Sequence, residues 1–122
     1  MVPTLKQANE ILGTSYTTWE NLSRVGYLSE AFIEQFQDKV YWECISRTQK
    51  LTEYLIEQFQ DKVDWYYISR YQKLSESFIE KFQHKLNWNS ISIYQKLSEP
   101  FIEKFQDRLR LYRSRRKQAT LL

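Results

Sequence analysis

Glycine is nearly absent from the 122-residue chain: Gly13 and Gly26 are the only two, and both precede residue 28. No Gly-rich loop is therefore available to cradle phosphates, and nothing beyond Gly26 invites a glycine hairpin turn or a strand bulge. A single cysteine, Cys44, excludes an internal disulfide and a thiolate metal site, and suits a reducing interior. The lone histidine, His84, stands where the chain elsewhere places Asp38, Asp61 and Asp107, which reads as an exposed helix-end position. Neither Cys44 nor His84 has a partner repeated at nucleophile–base or metal-ligand spacing. The inventory argues against an enzyme and implies no catalytic residue, no metal and no cofactor. Apolar runs are short as well, and none approaches the ~18–20 residues of a membrane span. The opening Met1–Asn9 lacks a signal peptide's basic-then-apolar order. The expectation is a soluble chain that is not exported and has no membrane partner.

Large side chains are plentiful: 42% of residues are hydrophobic and 16% aromatic, too rich a composition for a disordered chain. They recur at a fixed period of 23. "LSEAFIEQFQDKVYWECISRTQK", "LTEYLIEQFQDKVDWYYISRYQK" and "LSESFIEKFQHKLNWNSISIYQK" follow one another from Leu28, and a fourth copy begins at Leu97. Such repeats stack copies of one supersecondary unit that cannot bury its apolar face alone. In each copy Ser29, Thr52, Ser75 or Ser98 precedes apolar residues at helical spacing, a helix N-cap signature that Pro100 in the first turn supports. Asp64 and Asn87 suit the cap of a second helix opening on Trp65 and Trp88, with Ile68 and Ile91 three residues on. The pattern predicts an all-α short α-solenoid of tandem helical hairpins, with helices of about 8–10 residues. Gln49, Gln72 and Gln95 are placed to tie backbone turns together between copies, and Glu30, Glu53 and Glu76 suit the positive end of the helix each one begins.

The period reaches backward past the recognisable identity. Trp19 lies 23 residues before Trp42, and Leu5 lies 23 before Leu28, so residues 1–27 form a divergent capping hairpin ahead of repeats at 28–107. Residues 108–122 form a basic tail. The segments 1–27, 28–50, 51–73, 74–96 and 97–122 carry net charges of 0, −1, −1, +1 and +4. The excess concentrates in "RLRLYRSRRK", where Arg113, Arg115, Arg116 and Lys117 make a solvated tail or a handle for phosphates or an acidic partner.

Function in a solenoid resides where copies differ, and these differ along the second helix. Glu43, Cys44, Arg47 and Thr48 become Tyr66, Tyr67, Arg70 and Tyr71, then Asn89, Ser90, Ile93 and Tyr94. Tyrosine and arginine concentrate binding energy at protein interfaces, so Tyr66, Tyr67, Arg70, Tyr71 and Tyr94 are the candidate protein-binding residues. Some of these rings are equally suited to packing between copies.

Two resemblances bear on this reading. "TLKQANEILGTSYTTWENLSRVGYL", through Leu5, Ala8, Ile11, Leu12, Gly13, Ser15, Gly26 and Leu28, resembles the helix-turn-helix of excisionase- and MerR-type DNA-binding proteins. That resemblance implies a second helix in the major groove, with Tyr16, Thr17, Thr18, Asn21 and Arg24 at bases or phosphates. Arg24 is the only basic residue in that helix, and Glu20 opposes it. From residue 28 to about 108, the pattern W-x-x-I-S-x-x-Q-K-L-S-E-x-F-I resembles tandem-repeat proteins of phages, prophage-bearing bacteria and giant viruses, a family with no settled activity. The resemblance implies a mobile-element origin, the cytoplasm of a host cell, and a non-enzymatic protein that occupies a host protein or protein–nucleic acid complex, as inhibitors of CRISPR nucleases do. The alternative is a DNA- or RNA-binding protein using the N-terminal hairpin and the basic tail.

Overall fold

The computed structural model describes residues 3–109. Among them every regular element is helical: α1 (Leu5–Leu12), α2 (Trp19–Ser23), α3 (Glu30–Gln35), α4 (Trp42–Thr48), α5 (Glu53–Gln58), α6 (Trp65–Tyr71), α7 (Glu76–Lys81), α8 (Trp88–Tyr94) and α9 (Glu99–Lys104). Trp opens α2, α4, α6 and α8, and Glu opens α3, α5, α7 and α9, each 23 residues after its predecessor. The fold is an all-α tandem-hairpin array of the short α-solenoid class, with α1 and α2 as the divergent first hairpin.

The starts of the helices follow the sequence. The hydroxyls of Ser29, Thr52, Ser75 and Ser98 accept the N–H of Phe32, Leu55, Phe78 and Phe101, and the Asn87 side chain accepts that of Ser90. At α1, Thr4 and Gln7 cap each other reciprocally, and Gly13 closes the helix in the left-handed conformation at φ 67°. The helices are shorter than the spacing predicts: six residues for the first of each copy, and seven for α4, α6 and α8. For the first helices the reason lies at Phe36, where the backbone leaves the helical region and the carbonyl accepts the N–H of both Lys39 (2.9 Å) and Val40 (3.0 Å). Phe59, Phe82 and Phe105 repeat the turn. Each such turn folds the chain back and buries Val40, Val63, Leu86 or Leu109. Arg108 and Leu109 therefore occupy repeat positions.

Two compact units divide the chain, Met1–Asp64 and Trp65–Leu122. Within the first, Trp19 packs on Phe36 (5.7 Å between ring centroids) and Trp42 on Phe59 (5.0 Å), so a second helix meets the first helix of the following copy. The Trp42 indole N–H donates to Gln37 O of its own copy at 2.9 Å, which makes the ring a rivet between neighbours. The buried Ser23 hydroxyl donates to Trp19 O and accepts the Tyr41 N–H, and Ser46 Oγ accepts the Asp64 N–H. Glu30 accepts both the N–H and the hydroxyl of Thr52, the cap of the next copy, and Asp38 pairs with Lys62 at 2.6 Å. Gln49 accepts the Leu28 N–H and donates to Val25 O.

The unit Trp65–Leu122 uses links of the same kinds, though its Lys104–Glu80 ion pair stands at the register of Gln58 and Glu34. Trp65 stacks on Phe82 and Trp88 on Phe105. Ser69 Oγ accepts the Asn87 N–H, Glu76 takes the Ser98 cap, and Lys104 pairs with Glu80. Gln95 accepts the Leu74 N–H and donates to Ser69 O and Gln72 O. Ile68, Ile79 and Ile91 are fully buried at its centre. Ile79→Ala is expected to cost about 2–5 kcal/mol, the range for truncating a packed aliphatic side chain, read as a lower urea midpoint at unchanged slope.

Candidate functional site

In Trp65–Leu122 the second helices α6 and α8 lie against each other. Gln95 fixes that pairing from α8 by bonding the carbonyls of Ser69 and Gln72 at the end of α6. Residues one helical turn apart on α6 and the last residue of α8 thereby converge. The Arg70 guanidinium carbon lies 5.0 Å from the Tyr71 ring centroid and 4.9 Å from that of Tyr94, within the range of cation–π attraction. Arg70 also shares a side-chain hydrogen bond with Tyr66. Tyr66 meets Tyr67 edge-on at 5.3 Å, and Tyr67 lies 5.9 Å from Tyr71. The structure thus brings together all five candidate protein-binding residues.

They are not equally accessible. Tyr66, Tyr71 and Tyr94 are 46%, 47% and 50% exposed, while Tyr67 and Arg70 are half-buried. The register shared by Cys44, Tyr67 and Ser90 is not a surface position in every copy, because Cys44 and Ser90 are buried. The structure adds Ile93, which is exposed on α8 at the register of Arg47 and Arg70. Its signal in the sequence is an aliphatic residue standing where the other copies carry a cation.

Electrostatics favour a permanently charged centre. The Tyr66 hydrogen bond first, and then the proximity of Tyr71 and Tyr94, raise the pKa of Arg70 above its already high ordinary value, while burial works against them. Arg70 is a cation throughout the physiological range. Its Nε is buried without a hydrogen-bond partner, so the guanidinium is held more by rings than by acceptors.

At the divergent hairpin, α2 has five residues, and Thr18 is its cap, accepting the Asn21 N–H. Tyr16 and Thr17 precede that cap. The Tyr16 backbone is clamped by Asn9, whose side chain donates to its carbonyl and accepts its N–H. Arg24 pairs with Glu20 at 2.9 Å. Tyr16 is half-buried; Thr17, Thr18, Asn21 and Arg24 are exposed. Arg113, Arg115, Arg116 and Lys117 lie outside the described residues. Among the described residues no group of three or more His, Cys, Asp or Glu could hold a metal ion, and no helix is long and apolar enough to cross a membrane. No family model matches the chain, and no curated protein or solved structure matches it.

Proposed function

We propose that this chain is a non-enzymatic repeat module that binds a protein partner in a host cell's cytoplasm through the second-helix face of its later copies. The observation that supports this reading is the Tyr66, Tyr67, Arg70, Tyr71 and Tyr94 cluster, built from two helices and left partly open while neighbouring side chains of the same helices close the core. Buried Ile68 and Ile91 suffice for packing. Three half-exposed tyrosines around a charged guanidinium add little to it. They are, however, the residue types that dominate binding hot spots.

The test is capture of partners on the immobilised full chain, with wild type and single alanine variants compared at matched concentration. Tyr71→Ala and Tyr94→Ala are expected to leave the melting temperature nearly unchanged and to cost at least one partner more than about 2 kcal/mol in binding. If neither substitution alters what is captured, and binding to random duplex DNA instead falls steeply with salt, the protein-interface reading is wrong.

A further inference from the structure

We infer that the Tyr–Arg face of Trp65–Leu122 receives an acidic protein segment, with carboxylates meeting Arg70, Lys73 and Lys96 and apolar side chains lying on Tyr71, Tyr94 and Ile93. The inference rests on the protein-binding reading above and names the partner's chemistry.

Charge is sorted within this unit. Neither Trp65–Lys73 nor Trp88–Lys96 contains an Asp or Glu, whereas the corresponding stretch Trp42–Lys50 carries Glu43 and Trp19–Tyr27 carries Glu20. Glu76 and Glu80 of the same unit lie on α7, where Glu76 holds the Ser98 cap and Glu80 pairs with Lys104. Lys73 and Lys96 directly follow Gln72 and Gln95, the residues just past α6 and α8. Both are exposed, and neither meets a carboxylate among the described residues. The two acid-free stretches thus hold three cations, Arg70, Lys73 and Lys96, which favours an anionic partner on complementarity.

Arg70 decides which anion fits. Its guanidinium is already positioned by Tyr66, Tyr71 and Tyr94, so the entropy of ordering a long side chain is largely spent before a ligand arrives. A planar fork of N–H donors matches a carboxylate bidentately. A nucleic acid gains less here. Three cations release few counterions, and one face each of Tyr71 and Tyr94 is already covered by the guanidinium, which reduces the platform for stacked bases. Ile93 has no function toward a phosphate backbone and a clear one toward an apolar side chain set between acids.

A yeast-displayed library of random dodecapeptides, sorted against the full chain, tests the inference. The enriched pool is expected to hold more Asp and Glu than Lys and Arg. Its members are expected to bind the Lys73→Ala/Lys96→Ala variant about tenfold more weakly, with the melting temperature unchanged because both side chains are exposed. Arg70→Lys keeps the charge and loses the fork; it is expected to bind more weakly than wild type as well. Enriched peptides that are neutral or basic, yet depend on Tyr71 and Tyr94, overturn the acidic partner and leave the protein-binding reading standing. No enrichment dependent on this face overturns both. So does a labelled oligothymidine that displaces every enriched peptide.

Discussion

Excision of Leu51–Lys73 is expected to leave a folded helical protein with a melting temperature lowered by more than about 5 °C, whereas excision of residues 51–61 is expected to unfold the chain. The first copy, 28–50, reaches forward through Glu30 to the Thr52 cap, Asp38 to Lys62, Trp42 to Phe59 and Ser46 to the Asp64 amide. Twenty-three residues further on, Ser75, Lys85, Phe82 and Asn87 offer the same hydroxyl, ammonium, ring and backbone N–H. Joining Lys50 to Leu74 therefore restores each link in kind and removes one interface from an array whose stability is a sum over neighbours. The shorter excision puts Val63 opposite Glu30 and Arg70 opposite Trp42, and sends Tyr66 and Tyr67 into the buried places of Leu55 and Ile56. Far-UV circular dichroism with thermal melts separates the outcomes. Equal behaviour of the two deletions would show that 23 residues is not the structural unit.

The parts of this fold legible in the sequence are those with local causes. Ser29, Thr52, Ser75 and Ser98 cap the helices they precede, because a cap is a relation between residues three apart. Helix length was less legible. Nothing in the spacing of Phe32 and Phe36 shows that the Phe36 carbonyl collects two N–H groups and ends the helix early.

Long-range links were legible only where a residue's chemistry left no local use for it. The glutamines meet this condition, and Gln49 and Gln95 bond backbone carbonyls of the preceding copy, Val25 O and those of Ser69 and Gln72, as the sequence predicts. Ser23, Ser46 and Ser69 do not, since a helical serine readily bonds the carbonyl four residues back, as Ser69 does to Trp65 O. Its second partner, the amide of Asn87, is 18 residues away. Glu30 and Glu76 likewise suit the start of their own helices, while their carboxylates accept the cap of the next copy. Variation between copies located the Tyr–Arg cluster. Variation alone did not separate half-buried Tyr67 from exposed Tyr66.

Gln95→Leu is expected to destabilise the protein by about 3 kcal/mol or more. The Gln95 side chain is 93% removed from solvent, its residual exposure being 7%, and it has three partners. Its carbonyl accepts the Leu74 N–H at 3.2 Å, and its amide donates to Ser69 O at 2.9 Å and Gln72 O at 2.7 Å. Leucine nearly matches its volume and buries more apolar surface, a gain that on its own would stabilise. The loss is larger, because it strands one backbone donor and two carbonyls at the junction of two copies, where each unmet buried group costs about 1–3 kcal/mol. Lys96→Ala, one residue on and exposed, provides the control and is expected to lie within about 0.5 kcal/mol of wild type. Urea denaturation at equal slope measures both. A Gln95→Leu protein as stable as the Lys96→Ala protein would mean that water reaches these backbone groups and that apolar seams alone join the copies. The same substitution at Gln49, which bonds the Leu28 N–H and Val25 O in the other unit, is then expected to be equally silent. A loss at both positions instead identifies these glutamines as polar clasps, each holding the N–H of its copy's leading leucine and a carbonyl of the preceding copy.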